Sequence, residues 1–149
     1  MLRVALLLLV VAAPALAVAG EPPLAGPFVA EVLRVVDGDT LEARVRIWLR
    51  QDVTIDIRLR GIDAPELKGR CRDETILAAA ATDRLAELAG KTISLTEIGE
   101  DKYGGRVLAR VVNAEGGDVG ALMLESGLAR AYIGGRRGDW CGLARLEGN

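Results

Sequence analysis

The chain contains no histidine, and this absence excludes several common kinds of active site. Catalytic triads and dyads that use an imidazole base are ruled out, and so are the usual histidine-containing zinc and iron sites. Chemistry in this protein must therefore depend on carboxylates, guanidinium groups, hydroxyls, amines or a hard metal ion.

Aromatic residues and surplus positive charge are also scarce. The 149 residues include one phenylalanine, two tyrosines and two tryptophans, and 19 basic residues stand against 21 acidic ones. Proteins that bind single-stranded nucleic acid without cleaving it usually offer several aromatic platforms and a basic groove. The composition therefore argues against a simple binder, and any function toward nucleic acid must come from a local cluster of charges.

The N-terminal stretch has the pattern of an export signal, with an early arginine, a short apolar run and small residues suited to cleavage. We predict a cleaved signal at residues 1–19, a linker at 20–27 and a single domain at 28–149. A membrane anchor is the alternative, but the short run favours cleavage. The predicted destination is the periplasm or the medium.

The chain has two cysteines, Cys71 and Cys141. An oxidising compartment favours one intramolecular disulfide between them over two free thiols. Such a bond would fix the C-terminal segment RRGDWC to the body of the domain. For Arg136 and Arg137 in that segment, a solvated tail is favoured over a contact with nucleic acid, because paired arginines near a terminus are common.

The hydrophobic pattern predicts a barrel with helices. Apolar residues alternate with polar ones in the middle strands, and the predicted strands are 28–36, 40–49, 53–60, 91–98 and 106–113. A helical stripe covers 73–89, and a second helix begins at Asp118 and stops at Gly127. This order is typical of a mainly β (α+β) fold, the five-stranded oligonucleotide/oligosaccharide-binding (OB) barrel, with a helix between strands 3 and 4 and one or two C-terminal helices.

The segment VDGDT offers oxygen ligands. Asp37, Asp39 and Thr40 bring two carboxylates and a hydroxyl together, which suits a cation such as calcium. Taken alone, the segment is more typical of an ordinary Asp-Gly hairpin turn. The metal interpretation therefore needs support from elsewhere in the chain.

The segment RLRGIDAPE supplies that support. Its strand pattern puts Arg58 on the polar face, just before the carboxylates of Asp63 and Glu66. Acidic groups can hold a divalent cation while arginines bind a phosphate, and phosphoryl chemistry uses both. A carboxylate-pair glycosidase would also use the two acids, but it gives no reason for the arginine.

A third segment, DKYGGRVLAR, brings Lys102, Tyr103 and Arg106 to the start of a strand. Alone it indicates only a hairpin loop. The three segments together, in this order and with a helix between the last two, resemble the staphylococcal nuclease (thermonuclease) family from about Phe28 to Tyr132.

The resemblance implies a role for each matching position. Direct calcium ligands would be Asp39, Asp63 and the carbonyl of Ala64, with Asp37 near the ion. Catalysis would use Arg58, Arg106 and, as the general base, Glu66. Substrate would be bound by Lys102 and Tyr103 at phosphate and by Tyr132 at a base, and Thr40 is a further candidate.

The chain departs from the family pattern at Gly104 and Gly105, where the family has a single glycine before its second arginine. One extra residue would turn the Arg106 side chain to the opposite face unless a glycine bulge absorbs it. The assignment of Arg106 therefore depends on the structure.

The function that the resemblance implies is that of an exported, calcium-dependent endonuclease acting on DNA and RNA with little sequence preference. Nucleic acid would be its partner, with no membrane association after the signal is removed, and we expect a monomer. The alternatives are an inactive OB-fold module that binds nucleic acid and a calcium-stabilised interaction module.

Overall fold

The computed structural model describes residues 22–141, so the predicted signal at 1–19 lies outside the described residues. The elements in chain order are β1 (Phe28–Val35), β2 (Thr40–Trp48), β3 (Gln51–Leu59), β4 (Ile62–Asp63), α1 (Arg72–Ala89), β5 (Thr92–Glu100), β6 (Arg106–Asn113), α2 (Val119–Glu125) and β7 (Arg130–Ala131). No helix within residues 22–141 is long and apolar enough to span a membrane.

Five strands form a closed barrel in the order β1-β2-β3-β6-β5, with β5 returning to β1. The pairs are antiparallel except β3 with β6, which run parallel. Apolar and polar residues alternate in β2, so one face of the strand should be buried. Leu41, Ala43 and Val45 are buried inside the barrel, as expected. The predicted OB-type barrel is confirmed, with α1 between its third and fourth strands.

Gly90 explains where α1 ends, and Asp118 explains where α2 begins. Helix α1 ends before Gly90, whose positive φ of 62° is easily adopted by glycine and whose N–H donates to the Ala86 carbonyl. Helix α2 begins after Asp118, whose carboxylate accepts the Ala121 N–H at 3.0 Å. Both helices bury apolar side chains against the barrel, including Leu85 of α1 and Met123 of α2.

Part of the predicted linker at 20–27 is attached to the barrel. The Leu24 N–H donates to the Ile98 carbonyl at 2.7 Å, and the Ile98 N–H donates back at 2.9 Å. This bridge extends the edge of β5, so the chain is already held in place before β1 begins.

Candidate functional site

The candidate metal and arginine residues meet at one end of the barrel, where β2 begins and β3 finishes. Thr40 lies opposite Arg58 in the antiparallel register. The Leu59 N–H donates to the Asp39 carbonyl at 2.8 Å, which extends this pairing by one step. The turn before β2 and the acidic loop after β3 are therefore neighbours because of strand pairing alone.

The turn before β2 is packed against two other elements. A Cβ added at Gly38 would lie 2.6 Å from the Ala81 Cβ of α1 and 2.7 Å from the Ala64 Cβ. Such distances leave no room for any side chain, so only glycine allows the turn to approach this closely. The turn thereby places Asp39 directly beside the loop that carries Ala64.

Asp39 is 3% exposed and has partners on both carboxylate oxygens. Its Oδ1 accepts from Arg58 Nη1 at 2.6 Å and from the Thr40 hydroxyl at 2.9 Å, and its Oδ2 accepts the Ala64 N–H at 3.1 Å. Burial raises the pKa of the Asp39 carboxyl to about 6, although the charge of Arg58 opposes the rise. The Asp37 carboxylate lies close by and accepts the Asp39 N–H at 3.0 Å.

Asp63 is equally buried, and two guanidinium groups share one of its oxygens. Arg58 Nη2 lies 3.3 Å from Asp63 Oδ1, and Arg137 Nε donates to the same atom at 2.7 Å. Arg58 thus bridges the two buried carboxylates.

Arg137 is the main site residue that the sequence analysis missed. Its Nη2 donates to the Ala64 carbonyl at 2.6 Å, and its Nη1 contacts Glu66 Oε1. The favoured interpretation, a solvated tail, was wrong for this side chain because its guanidinium lies among the acids. Burial opposes its charge, but hydrogen bonding to Asp63 and the neighbouring carboxylates leave the pKa of Arg137 above its ordinary value.

Three contacts hold the segment that carries Arg137. Trp140 is 3% exposed, and the Arg130 guanidinium carbon lies 3.9 Å from the centroid of its ring. Arg130 Nη1 also donates to the Asp139 carbonyl at 2.7 Å. A disulfide joins Cys141 to Cys71, the residue immediately before α1. The sequence offered one indication of this arrangement, namely the expected disulfide.

The loop that carries Glu66 is fixed by a buried carboxylate from α1. Glu74, 6% exposed, accepts the Glu66 N–H at 3.3 Å and the Arg70 N–H at 2.8 Å. The Glu66 side chain itself is half exposed and faces Arg137. Sequence reasoning missed Glu74, although an acid in the first turn of a helix is a familiar signal for capping.

Arg106 begins β6 and stays on the same outer face of the barrel as Arg58. Ala109 points into the core, so Arg106, three positions earlier, points outward, and Leu108 pairs beside Arg58 in the parallel register. Gly105, with φ of +88°, lies in the turn directly before the strand. The Arg106 guanidinium contacts Asp101 at the cleft wall.

Three of the four candidate substrate residues, Lys102, Tyr103 and Tyr132, line the same opening, a cleft of about 1040 Å³ that is also lined by Arg58, Glu66 and Arg137. The fourth, Thr40, does not line the cleft, because it is 2% exposed and its hydroxyl donates to Asp39. Tyr103 lies between two cations, with Lys102 Nζ and Arg106 Cζ each 5.0 Å from its ring centroid. Tyr132 is held at the rim, where its hydroxyl donates to the Gly135 carbonyl at 2.8 Å.

Arg60, which directly follows β3, makes different contacts from Arg58. Its guanidinium donates to the Glu97 carbonyl at 2.8 Å and to the Leu108 carbonyl at 3.4 Å. These bonds satisfy backbone groups of β5 and β6. Arg60 is therefore better explained as a structural residue than as part of the charged cluster.

The candidate ligand atoms of Asp39, Asp63 and Ala64 are all oxygens, and they match a hard divalent cation. Asp39 and Asp63 provide buried carboxylates, and the Ala64 carbonyl faces the same guanidinium as Asp63. Calcium and magnesium prefer such ligands, whereas nothing in the cluster offers the nitrogen or sulfur that zinc prefers. The residues present therefore fit the cation that the family resemblance implies.

Comparison with known proteins identifies the family of the chain. The family model described as "Staphylococcal nuclease homologue" matches residues 56–139, from within β3 to Asp139. The chain belongs to the staphylococcal nuclease family. The match includes Arg58, Asp63, Glu66 and Arg106, and the turn with Asp37 and Asp39 precedes it.

Curated members of this family include two that share 36% identity with the chain. A protein of Escherichia coli named "Uncharacterized endonuclease" matches over 115 residues, which are 74% of this chain and 65% of the relative. A "Micrococcal nuclease" of Shigella flexneri matches over 119 residues, which are 74% of this chain and 62% of the relative. The chain thus spans a little under two-thirds of the length of these relatives.

Proposed function

We propose that this protein is a calcium-dependent endonuclease that hydrolyses phosphodiester bonds of DNA and RNA with little sequence preference. The observation that carries the proposal is the Arg58 fork between two buried carboxylates, at the mouth of a cleft lined by further cations. Membership of the family, and relatives named as nucleases, support the same conclusion.

The arginines suit the charge that develops during hydrolysis. A phosphodiester carries one negative charge, and attack by water adds more to its equatorial oxygens. Arg58 and Arg106 face the cleft from neighbouring strands, and a planar guanidinium can hold two phosphate oxygens at once. They would stabilise the transition state more than the bound substrate, which is the requirement for acceleration.

Glu66 is the candidate general base. Its carboxylate is half exposed at the cleft, where water can reach it, and Glu74 fixes its backbone. A base must lie within hydrogen-bond reach of the attacking water, and this position at the edge of the cluster is suitable.

Asp39, Asp63 and the Ala64 carbonyl would hold the calcium ion, with Asp37 in support. When bound there, the ion would supply Lewis-acid stabilisation of the phosphate charge. Thr40 orients Asp39 through its hydroxyl, so its part in the site is to position a ligand.

Lys102 and Tyr103 would bind the phosphate backbone, and Tyr132 would stack on a base at the rim. We also propose that the protein is exported to the periplasm or the medium and acts as a monomer. The disulfide between Cys71 and Cys141 supports export, because such bonds persist in oxidising compartments.

Release of acid-soluble nucleotides from DNA and from RNA tests this function directly. We expect release with calcium, loss of release with excess chelator, and recovery when calcium is restored. Arg58→Ala should release little under any condition. Its matched control, Arg44→Ala, changes an exposed arginine in the middle of β2 and should remain active. Release that is equal with calcium, with chelator and in Arg58→Ala would refute the proposal.

A further inference from the structure

Arg137 contacts the same oxygen atoms that a calcium ion would need. Its three nitrogens reach Asp63 Oδ1, the Ala64 carbonyl and Glu66 Oε1. The first two belong to the candidate ligand set, and the third belongs to the candidate general base. The contacts of Arg137 therefore involve both the candidate cation ligands and the candidate general base.

We infer that Arg137 is an internal competitor of the divalent cation and sets the affinity of the site for it. The inference rests on the proposed function for the identity of the ligands. A dication held at about 2.3–2.6 Å from Asp63 Oδ1 and the Ala64 carbonyl would lie close to the guanidinium that donates to the same two oxygens, and the two positive charges would repel each other strongly. We therefore expect binding of the ion to displace Arg137, which would also release Glu66.

The structure of the C-terminal segment makes this competition effective. A free arginine in solution would compete weakly, because it would lose its translational freedom on binding. Arg137 is instead attached four residues before the disulfide at Cys141 and three before the buried Trp140. The segment keeps the guanidinium at high effective concentration beside the acids.

The matched pair Arg137→Gln and Arg136→Gln provides the test. Each variant removes one positive charge from the same segment, but Arg136 is exposed whereas Arg137 lies in the cluster. Calcium binding is measured by isothermal titration calorimetry on the folded, oxidised protein. We expect Arg137→Gln to lower the Kd for calcium about tenfold, since a unit charge about 4 Å away is strongly felt beside carboxylates that are almost fully buried. Arg136→Gln should change it less than twofold.

A second measurement follows calcium binding in the wild-type protein. The Nε–H resonance that is absent from the spectrum of Arg137→Gln is assigned to Arg137, whose Nε–H donates to Asp63. Saturating calcium should shift this resonance toward that of a solvated arginine. An unchanged resonance at saturation would overturn the inference.

The calorimetry can also overturn it, in three ways. A Kd that is unchanged or raised in Arg137→Gln would mean that the arginine does not compete. An equal fall in both variants would mean that only overall charge matters. If neither wild type nor Arg137→Gln binds calcium, the inference and the calcium dependence fail together. Calcium-dependent DNA cleavage with an unchanged Kd in Arg137→Gln would instead defeat the inference alone.

Discussion

At Arg58, one planar side chain reaches two carboxylates that are both almost fully buried. The contacts to Asp39 and Asp63 use separate nitrogens of the guanidinium, so charge and shape both matter. Two buried carboxylates without such a partner would be costly. Arg58 also lines the cleft.

Arg58→Lys separates charge from shape. Lysine keeps the positive charge but cannot bridge both carboxylates and a phosphate oxygen. We expect kcat for DNA cleavage to fall about a hundredfold, the usual effect of losing one transition-state donor. Steady-state kinetics with calcium would measure it, with Arg44→Lys as the control. A kcat within threefold of wild type would show that charge alone suffices.

At the level of elements, the site depends on how closely the turn before β2 approaches α1. Gly38 is in contact range of both Ala81 on the helix and Ala64 on the acidic loop. The helix therefore supports the turn that presents Asp39, although it contributes no side chain to the cluster itself.

Gly38→Ala should disturb this contact. The added methyl group would overlap two Cβ atoms, so the turn, the helix or the loop must shift. We expect the free energy of unfolding to fall by about 1–3 kcal/mol, as for other overpacked sites, and calcium binding to weaken. Urea denaturation and calorimetry measure the two effects.

Gly104→Ala is the matched control, because an added Cβ there meets nothing within 4 Å. Equal unfolding free energies for the two variants would contradict the close approach of the turn.

At the scale of the whole molecule, the disulfide joins residues 70 positions apart. It connects the start of α1, and with it the loop of Glu66, to the segment that carries Arg137. One covalent bond therefore closes a long loop and keeps Arg137 beside Asp63 and Glu66.

Reduction of this bond should lower the free energy of unfolding by about 4 kcal/mol, because the closed loop restricts the unfolded chain. Urea denaturation with and without reductant measures the difference. The double variant Cys71→Ser/Cys141→Ser should show the reduced stability in both conditions. If reductant left the wild-type midpoint unchanged, the bond would not contribute to stability.

The sequence by itself determined the barrel and most of the candidate site. Alternation in β2 and β3, the helical stripe of α1 and the cap at Asp118 act within a few residues of chain, so local chemistry sets them. The meeting of Asp39 with Arg58 was predictable for a related reason, since Asp39 directly precedes β2, Arg58 lies near the end of β3, and the antiparallel pairing brings these two ends together.

The tertiary structure alone decided the contacts between distant segments. Arg137 reaches Asp63 across 74 positions and Glu66 across 71, distances over which no periodicity carries information. It also settled that Arg106 lies on the outer face of β6, and that Arg60 donates to backbone carbonyls while Arg58 donates to the acids. Local patterns fix which face a side chain takes, but only closure of the barrel and packing of the C-terminal segment fix which partner it meets.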